Sequence, residues 1–285
     1  RHMVRELVER GYCVECVDLE DHVFLEDRVN VFDWDALEVF NDPHPYPGEK
    51  YDLVVHAAYY VGGRAAIDGV NTNFAKNLQL DASLFEWAVR TKQKRVLYFS
   101  SSAAYPTWAQ DRTQYELFGG VKLKEDDPRY HEILEPSEAD ANYGFAKCVE
   151  ERLASDARRN GLSVTVVRPF SGYGEDQSLD YPFPSIVQRA KEGDLSVWGP
   201  PGQCRDWIHV SDVVKGSLSV VESGTTEPVN LCTGRAVEMG ELACMIINER
   251  NTNFMPFPIF NGYKADRDVT YDLSKPTGVF YRVGD

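Results

Sequence analysis

The strongest constraint on the fold is an alternation of short, near-continuous apolar runs with helical patterns. Residues 28–34 (RVNVFDW), 51–58 (YDLVVHAA), 95–102 (RVLYFSSS) and 163–170 (SVTVVRPF) read as strands. Between them, 73–90 (NFAKNLQLDASLFEWAVR) and 143–160 (YGFAKCVEERLASDARRN) carry apolar residues at helical spacing. Val- and Leu-rich runs that do not alternate with polar residues belong to strands buried on both faces. Strands of that kind, separated by helices, make a parallel sheet with helices above and below it. The expected fold class is therefore α/β, a doubly wound parallel sheet.

The chain opens on HMVRELVERGY, with Met3, Val4, Leu7 and Val8 at helical spacing and Gly11 placed as a C-cap. A strand, YCVECVD, follows and ends at Asp18. Doubly wound folds place a strand and a glycine-rich turn before such a helix. Neither precedes it here, so the sequence is expected to begin just after a phosphate-cradling segment. From about residue 171 the pattern turns irregular and rich in Pro and aromatics, as in SGYGEDQSLDYPFPSI and VWGPPGQCRDW. Two units are expected: a dinucleotide-binding Rossmann domain over 1–170 and a smaller region over 171–285 that mainly shapes the substrate pocket. The segment around 205–235 is expected to return to the first unit. The charged stretch 107–140 is long for a connection and reads as an insertion with its own helix or as a lid.

Composition narrows the function classes. A formal charge of −15 over 285 residues argues against a nucleic-acid binder, which needs a basic face. It leaves room for a phosphorylated ligand, because a few local cations suffice. Six cysteines in so long a chain do not make a disulfide framework. Cys13 and Cys16 form a CxxC on a strand, where i and i+3 point to opposite faces, and no second CxxC or HExxH accompanies it. No metal site is expected. No apolar run approaches the ~20 residues of a membrane helix and no signal-peptide pattern opens the chain, so a cytoplasmic enzyme without membrane partners is expected.

The chemistry concentrates in Tyr143-Gly-Phe-Ala-Lys147, a YxxxK opening a helix. The i, i+4 spacing puts phenol and ammonium on one face, a turn apart. A free Tyr titrates near pH 10, but a neighbouring Lys and a positive nicotinamide ring both favour the phenolate. Such a phenol can take a proton from a sugar hydroxyl as hydride leaves its carbon. Upstream, the strand ending in Phe99-Ser100-Ser101-Ser102-Ala103-Ala104-Tyr105-Pro106 presents serines at the C-terminal strand end, where folds of this class place their sites. A hydroxyl there can stabilise charge developing on the reacting oxygen.

With these motifs the chain resembles the extended short-chain dehydrogenase/reductase family, within it the nucleotide-sugar epimerase/dehydratase group. The resemblance runs over nearly the whole length. It is carried, in order, by Asp18, Val55-His56-Ala57-Ala58, Asn73, the Ser-Ser-Ser-Ala-Ala-Tyr-Pro turn, Tyr143-Gly-Phe-Ala-Lys147, Arg168-Pro-Phe-Ser-Gly-Tyr-Gly174, Val197-Trp-Gly199 and Arg205-Asp-Trp-Ile-His-Val-Ser-Asp-Val213. It implies Tyr143 and Lys147 as catalytic residues with a serine as third member. The family places that hydroxyl four residues before the Tyr of its turn, which selects Ser101, the expected catalytic serine; counting along the serine run would select Ser102 instead.

A carboxylate at Asp18 can accept both adenosine ribose hydroxyls and would repel a 2′-phosphate, so NAD is favoured over NADP. The resemblance further implies Asn30 and Val31 beside the adenine, Ala57 and Ala58 along the pyrophosphate and ribose, and Pro169 near the nicotinamide amide. Asn73, Tyr143 and Lys147 join the cofactor set. For a nucleotide-diphosphate sugar it implies Arg205 at the diphosphate, whose planar charged fork suits phosphate oxygens. Lys264 or Arg267 would supply a second cation, although the family's Arg-Pro-x-Asp is not intact before Asp272-Leu-Ser-Lys275. Ser101 also belongs to the substrate set, as does Ser171, which stands where many relatives have Asn. His56 and His209 are expected to be structural. A homodimer is expected.

The group's branches share a first step, oxidation of the sugar, and then diverge. Its dehydratases carry Asp-Glu directly after the catalytic hydroxyl, and here those places hold Ser102 and Ala103. Val61-Gly62-Gly63 is similar to GDP-fucose synthases and GDP-mannose 3,5-epimerases, which use a Cys where this chain has Ala103. The decarboxylase Glu is absent as well. The expected reaction is epimerisation at C4 through a transient 4-keto sugar. A 4-ketoreductase or dehydrogenase, a dehydratase, and a catalytically silent binding protein remain as alternatives.

Overall fold

The computed structural model describes residues 1–19, 28–42, 50–62, 72–106, 123–125, 141–193, 196–198, 204–250 and 259–261. Its centre is a four-stranded parallel sheet in the order β3–β4–β5–β9, built from β3 (Val54–His56), β4 (Arg95–Phe99), β5 (Ser163–Pro169) and β9 (Val229–Leu231). A second parallel pair joins β1 (Val14–Asp18) to β2 (Val29–Asp33), with Asp18 opposite Asp33. The doubly wound α/β reading holds.

Both faces of the central sheet are covered, which is why its strands read as continuous apolar runs. On one face α2 (Ala36–Asn41), α3 (Asn73–Arg90) and α4 (Ala141–Arg159) pack against Val96, Tyr98, Val164 and Val166. Helix α3 runs over the residues its sequence periodicity marks. It buries Asn77, Leu80, Asp81, Leu84, Phe85, Trp87 and Ala88, a stripe at i, i+3 and i+4. The opposite face carries Leu97, Val167 and Leu231, packed against α6 (Val210–Ser223) through Val221. Leu84 and Leu97, fully shielded from water, each contribute about 2–3 kcal/mol of burial to holding helix on sheet. The turn from α4 into β5 is closed by Gly161 at φ +88°, a left-handed conformation that a side chain would strain.

A smaller three-stranded sheet, in the order β10–β8–β6, comprises β6 (Ser171–Tyr173), β8 (Cys204–His209) and β10 (Ala236–Glu238). Nothing in the sequence pattern marks β6 or β10, each three residues long. The remaining elements are α1 (His2–Glu9), α5 (Pro182–Lys191), β7 (Ser196–Trp198), α7 (Met239–Arg250) and β11 (Ile259–Asn261), with β7 parallel to β11. Most of 107–140 lies outside the described residues, as do Lys264 and Arg267. No helix among the described residues is long and apolar enough to cross a membrane. No cluster among them could hold a metal ion, and all six cysteines are free thiols.

Candidate active site

The C-terminal edge of the parallel sheet gathers most of the expected site. Strand β4 ends at Phe99, and a 3₁₀ turn over Ser102–Ala104 follows at once. Ser101 is the residue before that turn. It is half-buried, and its Oγ accepts a hydrogen bond from the Ala103 backbone N–H at 3.1 Å. Ser102 is buried inside the turn together with Ala103 and Ala104. Ser101, the expected catalytic serine, is thus half-buried, whereas Ser102 is buried.

Helix α4 is fastened to this strand end at three points. Lys147 Nζ donates to the Phe99 carbonyl at 3.0 Å, Ser100 Oγ donates to Glu151 at 2.5 Å, and Cys148 Sγ donates to the Ala104 carbonyl at 3.2 Å. Tyr143, in the first turn of α4, is half-buried, and Lys147 one turn on is buried. The Lys147 ammonium lies 6.0 Å from the centroid of the Tyr143 ring. The ring of Tyr59, from the segment after β3, meets both: its centroid is 3.5 Å from the ammonium and 5.9 Å from the Tyr143 ring, edge-on. That segment is pinned by Asn77 of α3, whose side chain pairs with both the N–H and the carbonyl of Tyr60.

Behind Lys147 lies a buried polar network that no sequence motif announces. Lys147 Nζ donates to Tyr98 Oη at 3.0 Å and pairs with Glu150 at 3.1 Å. Tyr98 Oη also meets Asp81 Oδ2 at 2.6 Å and Glu150 Oε2 at 2.5 Å, and Tyr59 Oη donates to Glu150 Oε1 at 2.9 Å. His56 Nε2 closes the chain on Asp81 at 2.7 Å, buried on β3. Burial lowers the affinity of Lys147 for its proton, partly offset by Glu150 and Asp81. Burial raises Glu150 to about 7 despite the nearby ammonium. Asp81 stays below the usual carboxylate range although buried, because His56 bonds to it. The only local hint was Glu150 at i+3 from Lys147. Tyr98 and Asp81 sit at core positions whose polar tips gain meaning only once strand and helices are assembled.

The other expected cofactor residues are spread over the β1–β2 pair and the central sheet, with Asn30 and Val31 three and two residues short of the strand end that Asp18 and Asp33 mark. Asp18 is half-buried at the end of β1, and Asn30 and Val31 lie on β2 beside Glu15 and Cys16. Ala57 and Ala58 directly follow β3, Asn73 opens α3 and Pro169 closes β5. In the smaller sheet Ser171 is in register with Trp207, and Tyr173 with His209. Because strand side chains alternate, Ser171 and Tyr173 share a face with Arg205, Trp207 and His209. Cys204, Asp206 and Ile208 of β8 form its buried face. Phe183 of α5 stacks on Tyr173 at 4.3 Å and meets Trp207 edge-on at 5.6 Å, walling this face with aromatic rings. Arg205 is half-buried and donates to the Cys204 carbonyl at 2.8 Å.

Comparison with known proteins bears on the family and the fold. The chain is 26% identical over 297 residues to a GDP-L-fucose synthase of Escherichia coli, covering 96% of this chain and 81% of that protein. It is 34% identical over 260 residues to a dTDP-4-dehydro-6-deoxy-D-allose reductase of Streptomyces bikiniensis, covering 86% and 76% of the two chains. In fold it is similar to a UDP-glucose 4-epimerase of Thermotoga maritima, with a TM-score of 0.74 at 19% identity over 99% of this chain and 85% of that one. A dTDP-glucose 4,6-dehydratase of Streptomyces venezuelae gives a TM-score of 0.76 at 18% identity over 99% and 84%. The model of the NAD-dependent epimerase/dehydratase family matches residues 1–232, and the chain belongs to that family.

Proposed function

We propose that the chain interconverts C4 epimers of a nucleotide-activated sugar through a transient 4-keto sugar, using NAD. The observation that carries this reading is the make-up of the β4 edge. Ser101, Tyr143 and Lys147 stand around one strand end, while the adjoining turn of Ser102, Ala103 and Ala104 is buried and holds no carboxylate or thiol. That set can move a proton on and off one oxygen but offers no second acid/base for a neighbouring carbon.

The residues at the sheet edge fit the dinucleotide. Asp18 offers a carboxylate to ribose hydroxyls, and Ala57 and Ala58 present little more than backbone after β3. Asn73 and Pro169 are assigned to the same rim, whereas Asn30 and Val31, three and two residues short of the β2 end at Asp33, are not. When bound, NAD accepts a hydride from the sugar carbon and gives it back. Tyr143 takes the proton of the C4 hydroxyl and returns it after the keto sugar has turned over. Ser101 donates a hydrogen bond to that oxygen, and Lys147 supplies the positive charge that favours the Tyr143 phenolate. Arg205 and Ser171, sharing one face of the smaller sheet, hold the diphosphate and the sugar. Lys264 and Arg267, expected to add a second cation, lie outside the described residues.

A panel of UDP-, GDP- and dTDP-hexoses tests the reaction. C4 epimers should interconvert without net change in NADH absorbance, and deuterium placed at C4 should stay in the product. Loss of water, or solvent deuterium entering at C3 or C5, would overturn the reading. A second reading, reduction of a 4-keto sugar, is favoured by the 34% identity to a protein named as a 4-dehydro-sugar reductase. Stoichiometric NADH consumption on a 4-keto substrate would select it.

A further inference from the structure

Three acceptors inside the protein lie within reach of the Lys147 ammonium, namely Tyr98 Oη, the Phe99 carbonyl and Glu150, and the Tyr143 ring centroid is 6.0 Å away. At that distance its influence on Tyr143 is a field acting through space, and whatever alters the charge around the ammonium alters that field. Glu150 is the group best placed to do so. It is fully buried on α4, seven residues beyond Tyr143, which is about 10 Å along the helix.

Proton counting fixes the state of this cluster. Tyr98 Oη carries one proton and already accepts from Lys147, yet it lies within hydrogen-bond distance of two carboxyl groups, Asp81 and Glu150. It can donate to only one of them, so the second contact is bonded only if that carboxyl brings a proton of its own. His56 bonds to Asp81 and keeps it ionised. The extra proton therefore belongs to Glu150, whose other oxygen accepts from Tyr59. The groups facing Glu150 are thus Lys147 on its own helix, Asp81 from α3, Tyr98 from β4 and Tyr59 from the segment after β3, with His56 of β3 behind Asp81. The neighbouring Glu151 turns instead to Arg168 and Ser100.

From this arrangement we infer that Glu150 is a positioning residue for the Tyr143–Lys147 pair: it holds the ammonium in place and, by gaining or losing its proton, sets how strongly Lys147 favours the Tyr143 phenolate. The inference rests on Tyr143 being the acid/base. A neutral Glu150 leaves the ammonium's field on Tyr143 undiminished. An ionised Glu150 opposes that field and makes the phenol harder to deprotonate, so the acid limb of the kcat–pH profile is drawn out toward higher pH.

The test is the kcat–pH profile of the NAD-loaded enzyme, parent against Glu150→Gln, which keeps the shape but cannot ionise. The variant's acid limb should move to lower pH by roughly one unit, the order of one unit charge acting over ~10 Å in a partly screened interior. Tyr59→Phe removes a donor that favours the ionised carboxyl and should move the limb the same way by less. Independently of activity, infrared titration of the parent should show a buried protonated carboxyl lost as pH rises through about 7, and no such band in Glu150→Gln. Profiles that overlay, or a band that survives in Glu150→Gln, would overturn the inference. If Glu150→Gln does not fold, the Tyr59→Phe profile and the parent's infrared titration decide. Full turnover in Tyr143→Phe would instead sink the acid/base assignment and leave the infrared result standing.

Discussion

Arg168 of β5 reaches Glu151 of α4 with two parallel bonds, Nε to Oε1 at 2.8 Å and Nη2 to Oε2 at 2.6 Å, so that the strand carrying Pro169 and the helix carrying Tyr143 are locked together. The guanidinium also lies 4.8 Å from the Tyr105 ring centroid, next to the serine turn. Arg168→Met should destabilise the fold by about 3 kcal/mol in denaturant unfolding, because a largely shielded carboxylate loses its counter-charge. The double variant Arg168→Met/Glu151→Leu should recover much of that loss. If the double variant is no more stable than the single one, the pair does not act as a unit. Glu151 is held below its ordinary range by Arg168 and the Ser100 hydroxyl against the cost of burial. A lowered carboxylate contributes stability that is complete above the unfolded-state value of ~4.3 and lost as pH falls through the lower folded value. The parent should therefore lose stability below about pH 4.3 more steeply than the double variant.

Tyr143→Phe removes a single oxygen from a half-buried side chain. Its thermal unfolding should match the parent's, while turnover on the nucleotide sugar should fall by at least ~10²-fold, the usual contribution of a positioned acid/base. Turnover within a few-fold of the parent would contradict the assignment.

Asp18 stands at the end of β1, a half-buried carboxylate whose backbone carbonyl accepts from Trp34 N–H. NAD should bind more tightly than NADP, and the gap should narrow or reverse in Asp18→Ala. Equal affinities of the parent for the two dinucleotides, measured by calorimetry, would show that this carboxylate does not select between them.

The sheet, its covering helices and the Ser/Tyr/Lys group were legible because each depends on local pattern: continuous Val and Leu runs, the stripe along α3, and an i, i+4 spacing in α4. What escaped the sequence depends on contacts between distant segments. The chain Tyr59–Glu150–Tyr98–Asp81–His56 draws on β3 and the residues after it, α3, β4 and α4, and in sequence those five residues are separated by apolar neighbours that mask their polarity. The small sheet escaped for another reason. Three-residue strands such as β6 and β10 are too short to show a period, and β8 alternates only once its partner Ser171–Tyr173 is known. The spacing from Tyr105 already favoured Ser101 over Ser102; what the sequence did not show is the turn itself, which buries Ser102 and leaves Ser101 half-open.

Arg205, proposed to hold the diphosphate, gives the sharpest test of whether substrate and cofactor bind through different residues. It shares a face of β8 with Trp207 and His209, opposite the buried Asp206, whose carboxylate accepts from Thr233 N, Thr233 Oγ1 and Gly234 N. The two neighbours thus differ in their surroundings: Asp206 holds the turn after β9, whereas Arg205 lies on the face of the small sheet that carries Ser171. Arg205→Ala should weaken nucleotide-sugar binding by about 1.5–3 kcal/mol, the range for a lost charge-assisted hydrogen bond, and leave NAD affinity nearly unchanged. Arg205→Lys keeps the charge but not the planar fork, and should recover only part of the loss. Asp206→Ala should instead lower the melting temperature and weaken both ligands together. If Arg205→Ala behaves like Asp206→Ala, Arg205 supports the sheet and the diphosphate is held elsewhere.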